Sequence, residues 1–470
     1  MTSRIILNAF DMSCVTHQAP GLWRHPDNRA DEYNRLGYWT ELARLLERGT
    51  FDALFLADVV GVYDVYQDSA APALRDAAQI PVGDPLLQIP AMAAVTSRLG
   101  FGVTIASTYS QPYTLARTLS TLDHFTEGRV GWNVVTSYLA SAARNLGLGD
   151  QIAHDDRYGI ADEFLDVTYK LWEGSWEDGA VHRDRAAGVF TDPERVHPIA
   201  HHGEHFDVPG IHLSEPSPQR TPVIFQAGAS PRGQEFAARH GEAIFINGLA
   251  PELTRKTTDS IRAKAEAIGR PRDSVKILTL ATVIVAQTDE LAQAKYDDYR
   301  QYVSLEGALA LYGGWSGIDL SALDPDEPLE YVDTDAARSA LSIFTRADPT
   351  RQWTPRDIAD YVGIGGIGPV IVGSPETAAD ELERWIEVGG IDGFNLAYVI
   401  TPGTFEDIVD LLVPELRRRG RVWEDYEGTT LRERLSGSAV VPSWHPAHSY
   451  RGAYADARSA ADGNASLAPA

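Results

Sequence analysis

Polar side chains occur within or directly after several short apolar segments of this chain, where they could face a ligand. Asp58 follows the second such segment, Thr104 closes the third, and Asn133 lies inside the fourth, which ends in Thr136-Ser137. In a barrel of alternating strands and helices, ligand-facing groups sit at these strand ends. A polar strand end is structural about as often, so the pattern by itself leaves both interpretations open.

The sequence QAGASPRG at residues 226–233 has the features of an anion site. Small residues allow the backbone to approach a ligand closely, Ser230 is a suitable N-cap, and Pro231 fits the first position of a helix. A helix N-terminus offers free N–H groups to an anion, and a phosphate is the obvious candidate. An ordinary capped helix would have the same sequence, so this alternative also stays open.

Two further groups of residues could contribute chemistry. His154 and Tyr158, in HDDRY, begin another predicted helix, where the tyrosine hydroxyl could donate to the same phosphate and the histidine could reach polar atoms of a ring. The same cluster could be a solvated helix start. Cys14 and His17 follow the first apolar segment, where a pocket would lie, although a lone cysteine is usually an inert small apolar residue.

Other common site motifs are not supported. The HHGEH sequence at residues 201–205 lacks the helical spacing of two histidines and has no cysteine nearby, so we predict no metal site. A GxGxxG motif does not follow the first apolar segment, and the chain has no P-loop or GxSxG motif.

Composition narrows the classes of partner. The formal charge of −25 argues against nucleic acid or an anionic membrane surface. A single cysteine excludes an internal disulfide framework and fits a reducing cytosol. The N-terminus lacks the apolar run of a signal peptide, and no apolar stretch is long enough to span a bilayer. We therefore predict a soluble, cytoplasmic protein.

Short apolar segments alternate with helical patterns for most of the chain. This alternation predicts an α/β fold, an eight-stranded parallel (β/α)8 TIM barrel with right-handed crossovers. The predicted strands cover residues 5–9, 53–57, 100–104, 130–135, 222–227, 243–247, 275–285 and 393–399. The predicted helices cover residues 38–48, 89–97, 112–125, 158–171, 233–240, 251–268 and 375–387.

The chain is longer than a minimal barrel of roughly 250 residues, and three insertions hold the excess. They cover residues 60–87, 172–220 and 304–369, of which the second has the composition of short strands and turns. Long connections of this kind usually serve as functional covers. We predict one decorated barrel domain over residues 1–435 and a C-terminal extension over residues 436–470, whose Ala/Ser/Gly/Asp-rich end we expect to be disordered.

Long blocks of the sequence resemble a known family. They include NAFDMSCVTH, FDALFLADVVGVYDVY, STLDHFTEGRVGWNVVTS, AHDDRY, KLWEGSWEDGAV, EPSPQRTPVIFQAGASPRG and GIDGFNL. The chain is similar, over residues 5 to about 435, to the flavin-dependent monooxygenases of the bacterial-luciferase superfamily. Within it, the match is to the nitrilotriacetate and dibenzothiophene-sulfone monooxygenase branch, and most closely to its dimethyl sulfide and long-chain alkane monooxygenase group.

The resemblance implies an activity and a cofactor. Enzymes of this group use reduced FMN, supplied by a separate NAD(P)H:flavin reductase, and O2 adds to the flavin to give a C4a-peroxide that attacks the substrate. The implied function is oxygenation of a small organosulfur compound, such as dimethyl sulfide, or of another compact apolar molecule. We also expect a homodimer or homotetramer.

The resemblance also implies roles for individual residues. Those that match cofactor-binding positions are Asp58, Thr104, His154, Tyr158 and Ser230, with Tyr158 and Ser230 holding the phosphate. Asn133, Ser137 and Ala229, at or after the strand ends, are further cofactor-binding candidates. Those that match the reacting side of the pocket, as catalytic candidates, are Cys14, His17, Tyr63 and Gln79. Tyr138 is a further catalytic candidate, at a position that would face the reacting region. Leu311 and Trp315 are expected in the substrate pocket. The alkane enzyme has histidines where this chain has Tyr138 and Leu311, which argues against a long alkane.

Other functions remain alternatives. Within the same family they are long-chain alkane, sulfone and aminopolycarboxylate oxygenation. A hydride-transfer enzyme that uses a deazaflavin has the same fold, and a non-catalytic flavin-binding barrel is a third possibility. The set Asp58, Thr104, Tyr158 and Ser230 argues against the last of these.

Overall fold

Nine parallel strands form the main sheet of the protein, as seen in a computed structural model that describes residues 4–228, 230–329, 344 and 351–454. The predicted disorder of the chain end falls on residues 455–470, which lie outside the described residues. The strands of this sheet are β1 (Ile6–Met12), β2 (Ala53–Ala57), β3 (Gly100–Ala106), β4 (Val130–Val135), β9 (Val223–Ala227), β10 (Ala243–Ile246), β11 (Lys276–Val285), β12 (Val370–Gly373) and β13 (Gly393–Ala397).

Eight of these strands close a barrel. They follow the order β10-β9-β4-β3-β2-β1-β13-β11, and the pairing of β10 with β11 joins the two ends. This arrangement confirms the predicted (β/α)8 barrel and its eight strands. The ninth strand, β12, pairs only with the second half of β11 and lies outside the ring. Its four residues were too few to be recognised in the sequence.

Strand ends differ from the predicted ends because pairing, and not polarity, decides where a strand stops. β1 was predicted to end at Ala9 but continues to Met12, since Asp11 and Met12 pair with Leu56 and Ala57 of β2. The buried Asp11 therefore belongs to the strand.

The helices surround the barrel and also build its insertions. All seven predicted helices are present, with ends shifted by a few residues. The α-helices of the described residues are Leu36–Arg48, Ala71–Arg75, Ile89–Ala93, Pro112–Phe125, Ala140–Asn145, His154–Tyr169, Pro231–His240, Pro251–Ala267, Asp289–Arg300, Leu305–Ser316, Pro355–Val362, Pro375–Gly389, Gly403–Asp407, Val413–Arg418 and Leu431–Ser436.

The helix Leu305–Ser316 was not predicted, because Gly313 and Gly314 lower its intrinsic helix propensity. Packing compensates for this cost. A Cβ atom on Gly314 would lie 1.9 Å from Cδ1 of Tyr63, so only glycine allows the helix to approach that ring. Contact with the Tyr63 ring therefore stabilises this helix despite its low intrinsic propensity.

Aromatic rings fill the barrel below its carboxyl end. The ring centroids of Phe10 and Phe55 are 5.7 Å apart, and those of Phe55 and Phe225 are 5.4 Å apart, in edge-to-face geometry. Gly131 provides room for them, since a Cβ atom there would lie 2.5 Å from Phe225. Phe10 and Phe55 of this layer also line the cavity at the carboxyl end.

The insertions at residues 60–87 and 304–369 cover the carboxyl end of the barrel. Their side chains share one apolar cluster, to which Tyr63, Tyr66, Leu311, Tyr312 and Trp315 belong. Residues 330–343 and 345–350 of the second of these insertions lie outside the described residues. The insertion at 172–220 forms two antiparallel hairpins, as its composition predicted, from β5 (Val181–Asp184) with β6 (Val189–Thr191) and β7 (His201–His202) with β8 (Asp207–Val208).

A buried ion pair holds the helix Leu431–Ser436 against the amino end of the barrel. Arg432 is fully buried, and its Nε donates to Oε2 of Glu242 at 2.8 Å. Its Nη2 also donates to the carbonyl of Thr221 at 2.7 Å. Glu242 directly precedes β10, and Thr221 lies two residues before β9. Arg432 therefore ties the helix to both strands. Among the described residues, no helix is long and apolar enough to cross a membrane.

We expect Arg432→Met to lower the free energy of unfolding by about 3–5 kcal/mol, because Glu242 would keep a buried charge without a partner. Urea denaturation followed by circular dichroism measures this loss. Arg356→Met is the matched control, because its ion pair with Asp326 is exposed and should contribute little to stability. Equal losses in the two variants would contradict the assigned role of Arg432.

Candidate functional site

A cavity of about 280 Å³ opens at the carboxyl end of the barrel, under the two covering insertions. Residues from the ends of seven barrel strands contribute to it, as expected for this fold. Of the residues predicted from the sequence, the cavity is lined by His17, Asp58, Gln79, Thr104, Asn133, Ser137, Tyr138, His154, Tyr158, Ser230 and Trp315.

An amide and a hydroxyl from neighbouring strands form the floor of the cavity. Thr104 and Asn133 are direct partners in the β3–β4 register, and Nδ2 of Asn133 donates to Oγ1 of Thr104 at 2.9 Å. The Oδ1 atom of Asn133 is buried and has no hydrogen-bond partner. This oxygen can therefore accept a hydrogen bond from an N–H group of a ligand.

At one end of the cavity, three predicted residues meet at the start of the helix Pro231–His240. Ser230 caps this helix by accepting a hydrogen bond from the Gly233 amide at 3.1 Å, and Nε2 of His154 lies 3.5 Å from the serine hydroxyl. Burial raises the pKa of Tyr158, while a hydrogen bond with Ser230 opposes the shift. The phenol therefore keeps its proton at neutral pH.

Glycines leave a small open space around the Tyr158 hydroxyl. Cβ atoms on Gly228 and Gly233 would lie 2.9 and 2.8 Å from this oxygen. The tyrosine hydroxyl, the serine and the helix N-terminus thus meet where a Cβ atom would not fit, and they provide the donors that suit an anion. Ala229, which was also predicted here, lies outside the described residues.

Arg157 is a lining residue that the sequence analysis missed. It is 1% exposed, and its Nη1 donates to the carbonyl of Ile152 at 2.8 Å. The sequence signal that could have identified Arg157 was its position directly before Tyr158 in HDDRY. It brings a positive charge to the same end of the cavity as Ser230.

The opposite wall of the cavity depends on one tyrosine. The hydroxyl of Tyr63 hydrogen-bonds Oε1 of Gln79 at 2.6 Å, the hydroxyl of Tyr138 at 2.6 Å and Nε1 of Trp315 at 3.2 Å. The last three residues line the cavity, whereas Tyr63 lies behind them and is 1% exposed. Four separate parts of the sequence are joined in this way.

His17 and Gln18 continue that wall. Burial lowers the pKa of His17 to about 3, so its ring is neutral. Its Nδ1 and the Oε1 of Gln18 are buried and have no hydrogen-bond partner. A Cβ atom on Gly366 would lie 1.9 Å from that amide oxygen, so only a glycine leaves room for the Gln18 side chain. No sequence signal distinguished Gln18.

Asp58 lies at the edge of the cavity and has a shifted pKa. Burial and the nearby charge of Asp84 raise its pKa from 3.8 to about 7, against a hydrogen bond from the Val59 amide. The carboxyl group is therefore partly protonated at neutral pH and can either donate or accept a hydrogen bond.

Besides Tyr63, two predicted residues, Cys14 and Leu311, lie next to the cavity and do not line it. The Cys14 thiol is buried and donates to the carbonyl of Thr16 at 3.2 Å, and burial raises its pKa. Leu311 is fully buried in the apolar cluster of the covering insertions. These two side chains therefore act on a ligand only through their neighbours.

The histidines at residues 201–205 are elsewhere in the molecule. His201 hydrogen-bonds Oε1 of Glu163 at 3.0 Å and Nζ of Lys170 at 2.9 Å. Within the described ranges, no group of three or more His, Cys, Asp or Glu residues is arranged to hold a metal ion.

We expect Asp58→Asn to stabilise the protein above neutral pH. A carboxyl whose pKa is higher when folded binds its proton more tightly in the folded state, so the wild type loses stability as pH rises from about 4 to about 7. The asparagine variant cannot titrate there. Its free energy of unfolding should match the wild type below pH 4 and exceed it by about 2–4 kcal/mol at pH 8.

Urea denaturation at several pH values measures this difference. Asp31→Asn, at an exposed carboxyl group, serves as the control and should leave the pH dependence of stability unchanged. An Asp58→Asn variant whose stability follows the wild type at every pH would show that the carboxyl group is not desolvated.

Comparison with known proteins places these features in a family context. The family model described as "Luciferase-like monooxygenase" matches residues 10–392. The chain is 58% identical to dimethyl-sulfide monooxygenase of Hyphomicrobium sulfonivorans, over 98% of this chain and 97% of that protein. It is 49% identical to long-chain alkane monooxygenase of Geobacillus thermodenitrificans, over 96% of this chain and 99% of that protein.

A solved structure with a bound flavin is also similar. The crystal structure of riboflavin lyase with modified FMN and the substrate riboflavin superimposes with a TM-score of 0.90. The two chains are 37% identical, and the match covers 96% of this chain and 100% of the other.

Proposed function

The chain belongs to the luciferase-like monooxygenase family, and from this premise we propose that it uses reduced FMN and O2 to oxygenate a small thioether such as dimethyl sulfide. Its membership makes it an enzyme, a flavin-dependent monooxygenase. The observation that carries the choice of FMN is the donor-lined space formed by Ser230, Tyr158 and the helix N-terminus.

The residues of the cavity fit FMN at both ends. The space around the Tyr158 hydroxyl offers a phosphate two hydroxyl groups, backbone N–H groups and the nearby Arg157. The unpaired Oδ1 of Asn133 offers an acceptor to an N–H group of the isoalloxazine ring. His154, Asp58, Thr104 and Ser137 are proposed to complete the cofactor site.

The bound flavin would supply the activation of O2, and the protein positions and shields it. The covering insertions would exclude water from the reacting side, and this would protect the activated oxygen from side reactions. Neutral His17 and the protonated phenol of Tyr138 add polar groups there without adding charge. With Gln79 they are proposed to face the reacting atoms.

The substrate is proposed from the shape of the reacting side and from the relatives. The bulky side chains of Tyr138, Trp315 and Ile367 line this part of the cavity, which suits a compact molecule. The relative with 58% identity is a dimethyl-sulfide monooxygenase. Long-chain alkane oxygenation is the second candidate, because a relative with 49% identity has that name.

A partner must reduce the flavin. No GxGxxG motif follows β1, so we propose a separate NAD(P)H:flavin reductase as the electron source. Reduced FMN could reach the cavity by diffusion between the two proteins. A homodimer or homotetramer is the proposed assembly.

We expect Ser230→Ala and Tyr158→Phe each to weaken FMN binding by about 1.5–3 kcal/mol, because each removes a hydrogen bond to a charged phosphate. Fluorescence quenching of FMN on titration with protein measures the dissociation constant. Riboflavin has no phosphate and should bind the wild type and both variants with similar affinity. A large loss of riboflavin affinity would show that these side chains serve the fold instead.

Oxygen uptake with reduced FMN tests the reaction. A panel of thioethers, alkanes, sulfones and aminopolycarboxylates should give substrate-dependent product only with short thioethers. Efficient turnover of hexadecane would replace the proposed substrate with a long alkane. As a control, the purified protein with FMN and NADH should not oxidise NADH at full rate without a reductase. Full-rate NADH oxidation would overturn the two-component proposal.

A further inference from the structure

The hydroxyl of Tyr63 has three hydrogen-bond partners but only one proton. It contacts Oε1 of Gln79, the hydroxyl of Tyr138 and Nε1 of Trp315. The direction of each hydrogen bond therefore follows from the chemistry of the partners. These directions decide what the cavity wall offers to a ligand.

The orientation of the Gln79 amide fixes the first direction. Its Nε2 donates to the backbone carbonyl of His17 at 2.8 Å, and a carbonyl can only accept. The amide oxygen, Oε1, must then be the atom that faces Tyr63. Because an amide oxygen cannot donate, Tyr63 donates its single proton to Gln79.

The other two hydrogen bonds must point toward Tyr63. The indole N–H of Trp315 can only donate, and the remaining bond requires the proton of Tyr138. Burial raises the pKa of both tyrosines, that of Tyr138 to about 12, so neither loses its proton near neutral pH. The single proton of Tyr138 is thus used inside the wall.

We propose that Tyr63 is a positioning residue that turns the Tyr138 hydroxyl proton away from the cavity, so that Tyr138 accepts but does not donate hydrogen bonds there. The same wall contains two more buried polar atoms without partners, Nδ1 of His17 and Oε1 of Gln18. An amide oxygen is an acceptor only. The wall therefore favours a ligand group that donates a hydrogen bond.

A wall that offers acceptors would select among substrates. For the identity of the reaction, this inference rests on the proposed function. A small thioether with a hydroxyl group can donate to the wall, whereas its methyl ether cannot. We infer that the donor-bearing thioethers bind more tightly. The two probes are 2-(methylthio)ethanol and its methyl ether, which differ in this one donor and in one methyl group. The change in their affinity ratio between the wild type and a variant therefore reports the donor.

The test measures the dissociation constants of the two probes with the full-length protein by ligand-observed NMR titration. We expect the wild type to bind the alcohol about fivefold more tightly than the ether, as one net hydrogen bond would give. In Tyr63→Phe, the Tyr138 proton becomes free to turn toward the cavity, so the preference should disappear or reverse. In Tyr138→Phe, the preference for the alcohol should become smaller, because only the acceptors of His17 and Gln18 remain.

Tyr109→Phe is the matched control. Its hydroxyl donates to Gln151 at 2.8 Å and does not line the cavity, so this variant should keep the wild-type preference. A merely structural role for Tyr63 would weaken both probes by the same factor and leave their ratio unchanged. That result, or a wild type without preference for the alcohol, would overturn the proposal.

A second variant and a comparison with and without FMN complete the test. If circular dichroism shows that Tyr63→Phe does not fold, Tyr138→Phe still tests the acceptor, since an unchanged preference in that variant would overturn the proposal. The titrations are run with and without saturating FMN. Failure of FMN to bind would count against the proposed function, whereas the ratio in FMN-free protein tests the hydrogen-bond direction by itself.

Discussion

Pairing between β10 and β11 closes the sheet into a ring, and the site depends on this closure. Because all eight strands of the ring are parallel, their carboxyl ends meet at one end of the barrel. Residues as distant in sequence as His17 and Phe245 thereby line one cavity. The rings of Phe10, Phe55 and Phe225 pack inside the barrel beneath the cavity.

The cavity contains several buried polar atoms without partners, and this arrangement opposes stability. Each buried and unsatisfied polar group costs on the order of 1–3 kcal/mol. Here they occur at His17, Gln18 and Asn133, all of which line the cavity. The burial of apolar side chains elsewhere in the fold offsets this free-energy cost. Atoms that the fold leaves unpaired are the ones available to a ligand.

The two ends of the cavity differ in what they offer. One end presents donors and a positive charge from Arg157 beside a helix N-terminus, which suits a phosphate. The other end, near Tyr138, is uncharged and presents acceptors. The cavity is therefore polarised along its length, which favours one orientation of a ligand that carries a phosphate at one end.

The sequence by itself determined the barrel and most of its cavity, because strand pattern and strand-end chemistry are local properties. Asp58, Thr104, Asn133 and Ser230 were recognisable as the polar ends of apolar segments. Gln18 and the hydrogen-bonding role of Tyr63 were not, since both depend on contacts between distant parts of the chain. The helix Leu305–Ser316 likewise required the Tyr63 ring against which its glycines pack. Only the tertiary structure decided these features, because hydrogen-bond direction and close packing exist only between side chains that the fold has brought together.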